Sequence, residues 1–85
     1  MRERSTDSHV LAETMFEITR IRFEAFRDRF GRDPEPHEPL LFDPTCEEPT
    51  LASSIQQTLQ VLSAAQIARV DGNPMLAYLG LEQLH

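Results

Sequence analysis

Apolar positions along the chain recur with helical spacing in two stretches, separated by a proline-rich segment, and this pattern divides the sequence into three parts. From about Ser8 to Phe30 there is neither proline nor glycine, Asp7 or Ser8 can cap a helix, and Gly31 followed by Pro34 supplies a stop. The pattern predicts one long helix over 8–30 behind a flexible segment 1–7. At about 100° per residue, Ala12, Phe16, Thr19, Phe23, Phe26 and Phe30 form a stripe, extended at its N-terminal end by Leu11, Met15 and Ile18. Glu13, Glu17, Glu24 and Asp28 group on the far side, as the solvated face of a surface helix does. Arg20 and Arg27 line one edge of the stripe, and Arg22 and Arg29 line the other.

The second part, 32–49, holds five prolines, and no helix persists through Asp33-Pro-Glu-Pro-His-Glu-Pro. Within it Leu40-Leu41-Phe42 is too apolar for a freely solvated linker, so the segment is expected to dock on the helices as a short extended piece. Asp43-Pro44 can also start a single helical turn. Six acids lie between Asp33 and Glu48. Their nearness to the arginine-rich end of the first helix leads us to expect a fold-back that sets carboxylates near Arg22, Arg29 or Arg32.

A second helix is expected over 50–71, capped by Thr50, with Leu51, Ile55, Leu59 and Leu62 as its core face and Ala65 continuing it. Asp71-Gly72-Asn73-Pro74 then reads as a stop and a new start, Gly72 ending one helix and Asn73 capping the next. The third helix, 74–84, carries Met75, Leu76, Tyr78, Leu79, Leu81 and Leu84 on more than one side, too many for a terminal helix of a monomer to hide. The expected fold is all-α, a single small helical hairpin or bundle completed by dimerisation, with the helices paired within one chain or swapped between two.

Size sharpens the argument for association. A chain of 85 residues buries only roughly 60–65% of the surface its unfolded form exposes, so its core is thin. Cys46 is the single cysteine and excludes an internal disulfide, and His9, His37, His85 and the acids have no zinc-ligand spacing. A second copy of the chain is the remaining source of buried surface. Fourteen acids against eight bases give a net charge of −6, which repels phosphates and argues against nucleic acid as a partner. All eight bases are arginine, through a GC-rich coding bias or through selection for bidentate pairing with carboxylates. No apolar run is long enough for a membrane span, and the N-terminus lacks a signal peptide's apolar stretch, so the expected compartment is the cytoplasm.

Catalytic chemistry has little support. Cys46 and His37 are the one nucleophile–base pair worth stating, but Glu47 and Glu48 beside the cysteine disfavour its thiolate. Glu35, His37, Glu38 and Asp43 match no calcium loop, and the three glycines form no phosphate-cradling loop. We therefore expect no enzyme and no cofactor. The expected role is that of a self-associating interaction module of bacterial type, a small regulator or adaptor. Its contact residues are expected to be Phe16, Phe23, Phe26 and Phe30 with Arg20, Arg22, Arg27 and Arg29 as rim, and then Met75, Leu79 and Leu81. The same phenylalanines can equally be core under the second helix. Two other readings are an accessory subunit that holds a basic partner through the acidic loop 33–48, and a small metal protein or enzyme built on His37 and Cys46.

Overall fold

A computed structural model describes the backbone of residues 2–81 and the side chains of residues 11–81, and among these residues the protein is mostly helical with no strand. Three helices pack together: α1 (Arg2–Phe30), α2 (Ser54–Ala68) and α3 (Asn73–Tyr78).

Helix α1 begins at Arg2, so residues 2–7 of the segment expected to be flexible are helical, and the helix does not start at Asp7 or Ser8. Nothing in that stretch breaks a helix, and Arg and Glu are good helix formers. Its 29 residues at about 1.5 Å rise span most of the molecule's longest dimension, 46 Å. It ends as anticipated at Gly31, which takes φ 73°, with its N–H on the Arg27 carbonyl at 2.8 Å.

The chain reaches α2 through Ser53 rather than Thr50. Ser53 Oγ accepts from the Gln56 N–H while Gln56 Oε1 accepts from the Ser53 N–H, both at 3.2 Å, which is a complete capping box. Thr50 is occupied elsewhere: its carbonyl accepts from the Asp43 N–H at 2.8 Å. The Ala52 N–H donates to the Leu41 carbonyl, and together these bonds make an isolated antiparallel bridge between Phe42 and Leu51. Helix α2 stops at Ala68, ahead of the expected glycine, because Arg69 itself takes the left-handed conformation (φ 62°, ψ 42°) and Val70 bonds back to the Ala65 carbonyl. Helix α3 starts from Gly72, whose carbonyl accepts from Met75 and Leu76, while Asp71 Oδ1 accepts from the Asn73 N–H. Gly80 (φ 75°) ends α3 well before residue 84, and Leu81 turns back with its N–H on the Leu76 carbonyl. Leu84, counted in the sequence as part of this helix, lies outside the described residues.

The core gathers Ile18 of α1, Val61, Ala64 and Ala65 of α2, and Met75 and Leu76 of α3, with Met15, Ile21, Leu41, Val70 and Leu81 around them. The core face of α2 therefore differs from the one its largest side chains suggest. Thr58, Val61, Ala64 and Ala65 are buried, whereas Leu51, Ile55 and Leu59 are more than half exposed and Leu62 is 38% exposed. Helix α2 carries two apolar stripes, and the one made of small residues faces inward. The buried Thr58 hydroxyl is satisfied by donating to the Ser54 carbonyl at 3.0 Å. Gly72 belongs to the same close approach: a Cβ placed there would lie 3.0 Å from Ala65 Cβ.

Among the described side chains of α1 the buried ones are Thr14, Ile18 and Phe26, so the face turned inward lies beside the stripe drawn through Ala12, Phe16 and Thr19, which are exposed. Phe26→Ala should cost about 3–5 kcal/mol, and Phe16→Ala should stay within about 0.5 kcal/mol of the parent. Chemical denaturation of the two variants checks this; similar losses at both positions would contradict the fold. Gly72→Ala should cost about 1–3 kcal/mol through overpacking against Ala65, read the same way.

Candidate interaction surface

The phenylalanines of α1 do not act as one seam. Phe16 is 67% exposed, Phe23 and Phe30 are half-buried, and Phe26 is fully buried within the chain. Phe26 therefore belongs to the intramolecular core, as does Met75 at 8% exposure, and neither is available as a contact residue in this fold. Leu81 packs at the edge of the core, while Leu79 is 40% exposed.

What covers the C-terminal end of α1 is the proline-rich segment. Phe42 stands edge-on to Phe26 (centroids 5.9 Å apart) and to Phe30 (5.2 Å), and Phe26 and Phe30 lie 4.6 Å apart. Each ring of this trio has a guanidinium over it: Arg22 over Phe42 at 4.9 Å, Arg29 over Phe30 at 5.1 Å and Arg32 over Phe26 at 5.6 Å. The same arginines hold the loop backbone. Arg22 Nε donates to the Leu40 carbonyl at 3.1 Å, and Arg29 Nη2 donates to the Cys46 carbonyl at 2.7 Å. Burial pushes the half-buried Arg22 guanidinium below its ordinary pKa. Helix α2 grips the loop from the other side, Gln60 Nε2 donating to the Phe42 carbonyl at 2.7 Å.

The loop folds back on the arginines as expected, and its carboxylates meet Arg32 of the anticipated three and also Arg27, but not Arg22 or Arg29. Arg32 binds Glu38 through two parallel bonds of 2.8 and 2.7 Å, and Arg27 pairs with Asp33 at 3.1 Å, whereas Arg22 and Arg29 take backbone carbonyls. Asp43 accepts from both the N–H and the hydroxyl of Thr45, which holds its carboxyl below the usual range. Asp33, Glu38 and Asp43 thus have partners within the loop or on α1, and Glu35 stands 3.8 Å from His37. Arg20 pairs along its own helix with Glu17 and Glu24, at 3.0 and 3.3 Å. His37 is 75% exposed at its side chain, 3.8 Å from Glu35. Among the described residues no group of three or more His, Cys, Asp and Glu stands ready to hold a metal ion.

The surface that sequence reasoning misplaced is on α2. Ile55, Leu59 and Leu62 follow one another at i, i+4 and i+7, at 61, 53 and 38% exposure, and Leu51 just ahead of the helix is 63% exposed. Exposed Gln66 continues the line and exposed Ser63 flanks it. From Ser54 to Ala68 the helix has no charged residue at all. The signal in the sequence was the second, small-residue stripe at Thr58, Val61, Ala65 and Ala68, which competes with the leucines for the inward position. Among the described residues no helix is long and apolar enough to cross a membrane.

The fold and its exposed stripe define a small three-helix domain with an uncovered apolar helix face. Compared with protein-family models, curated proteins and solved structures, the chain shows no match.

The bonds from Arg32, with help from the Glu35 N–H, lower the Glu38 carboxyl from 4.5 to about 2. Because the folded value is the lower one, the unfolded chain takes up this proton first as pH falls. The pair's contribution is therefore fully present above pH about 4.5 and lost between there and about 2. Glu38→Gln should lower the urea midpoint near neutral pH, and the gap to the parent should close as the pH approaches 2. A gap that stays constant with pH would refute the pairing.

Proposed function

We propose that the protein is a non-enzymatic, self-associating protein-interaction module, a small regulator or adaptor, that pairs through the exposed stripe of α2. The observation that carries the reading is the placement of Ile55, Leu59 and Leu62 on the outside of a helix that already buries its other apolar face. A helix apolar on two sides is typical of one buried from both. Monomeric proteins rarely leave large contiguous apolar patches uncovered, and Ile55, Leu59 and Leu62 make a continuous exposed line.

Charge points to a second copy as the occupant. Two chains of net charge −6 repel, and α2 is where they can approach with the least opposing charge, since no residue from Ser54 to Ala68 is ionised. A two-fold pairing of α2 with its equivalent sets leucine and isoleucine against leucine and isoleucine, with Ser63 and Gln66 as an uncharged rim. A standard interface takes roughly 800 Å² per partner, so residues beside the stripe, Ser63 and Gln66 among them, join Ile55, Leu59 and Leu62 in the contact. The role proposed here moves the contact from the aromatic stripe of α1, whose Phe26 is occupied within the chain, to α2.

Light scattering over a dilution series should return twice the chain mass. Ile55→Glu and Leu59→Glu should each give a monomer with unchanged helical circular dichroism, because both side chains are exposed in the single chain. A parent that scatters as a monomer at every concentration, or variants that stay dimeric, would overturn the reading.

A further inference from the structure

A second apolar surface lies away from the stripe of α2 and shares no residue with it. The N-terminal half of α1 and the turn joining α2 to α3 enclose an open groove of about 760 Å³. Ala12 and Phe16 form its α1 wall, and Val70 and Pro74 form the opposite one. Phe16 is 67% exposed, its ring left uncovered beside this groove. Acids border the apolar lining on both sides, Glu13 and Glu17 from α1 and Asp71 from the turn.

These carboxylates are held in place by the fold: Glu17 by Arg20 at 3.0 Å, and Asp71 by the Asn73 N–H at 3.0 Å. An ordered acidic rim around an apolar trough is complementary to an apolar side chain flanked by cations. The volume exceeds what one side chain fills, and an apolar trough with α1 on one side and the α2–α3 turn with Pro74 on the other can receive the apolar face of an amphipathic helix. The overall charge of −6 adds long-range attraction for a basic segment and repulsion for an acidic one.

We infer that the groove between α1 and the α2–α3 turn binds a basic amphipathic helical segment of another protein, its apolar face on Phe16, Val70 and Pro74 and its lysines or arginines on Glu13, Glu17 and Asp71. This deepens the interaction-module reading by naming a partner chemistry, yet it does not depend on self-association.

The test is fluorescence anisotropy of the full chain with three labelled peptides of equal length: leucine–lysine, leucine–glutamate and serine–lysine. The leucine–lysine peptide should bind at least tenfold more tightly than either of the others. Phe16→Ser and Ala12→Arg, both at exposed positions, should each weaken it at least tenfold with unchanged circular dichroism and thermal midpoint. Leu59→Glu should leave it unchanged, which separates this site from the α2 stripe and keeps the two proposals distinguishable. Equal binding of the leucine–lysine and leucine–glutamate peptides would overturn the proposal. So would binding untouched by Phe16→Ser and Ala12→Arg, or the absence of binding by any peptide.

Discussion

The close approach of α2 and α3 to α1 through small side chains is the constraint on which the other features rest. Thr58, Val61, Ala64, Ala65 and Gly72 bring backbones near one another, and only a few larger groups, Ile18, Leu76 and Met75, fill the space between them. Ala and Gly surrender little side-chain entropy on burial, and their tight packing gathers many dispersion contacts in a small volume. The consequence is geometric: with the small face inward, Ile55 and Leu59 of the other face stay more than half exposed.

A second, aromatic centre lies at the far end of α1 and answers a different need. A segment with five prolines cannot sustain a helix or a ladder beyond the single bridge at Phe42, so its other carbonyls need donors from elsewhere. Arg22, Arg29 and Gln60 supply donors to three of them, while Phe42 packs edge-on against the Phe26–Phe30 pair and adds apolar area. The guanidiniums serve twice, as donors to the loop and as cations over the rings. Lysine, with no planar face and a single point of charge, could not stack and donate in this way. The all-arginine composition has a structural use here whatever its origin.

Much of this was legible in the sequence because the deciding signals were local. Gly31 after an unbroken helical run, the prolines of 32–49 and the apolar triplet Leu40–Phe42 each act through their own backbone or immediate burial. The face of α2 was not legible, because two stripes of helical period coexist there and periodicity does not say which one turns inward. Size misled: Ile55 and Leu59 outweigh Ala64 and Ala65 on any hydrophobic scale, yet interhelical distance favours the small set. The end of α2 was misplaced for a similar reason, since Arg69 adopts a conformation normally left to glycine, and no local rule anticipates that. On α1, the stripe through Phe16 and Phe23 was drawn for a straight helix facing one neighbour. In the fold, α2 covers Ile18 and the proline-rich segment covers Phe26, so the buried line shifts around the helix as the neighbour changes.

The absence of charge on α2 bears on selectivity as well as on affinity. Paired helices usually encode their alignment and their choice of mate in ionic residues beside the apolar seam or in one buried polar group, and those features exclude wrong combinations. A face of leucine and isoleucine edged by glutamine and serine offers adhesion without such a code. Any chain displaying a similar three-and-four spacing would be an acceptable mate, since register is set only by the overlap of one short apolar run. In the pairing proposed for α2, fidelity would come from shape outside the seam, from the angle at which α1 and the docked loop present the helix, so that the scaffold would replace sequence information at the contact itself.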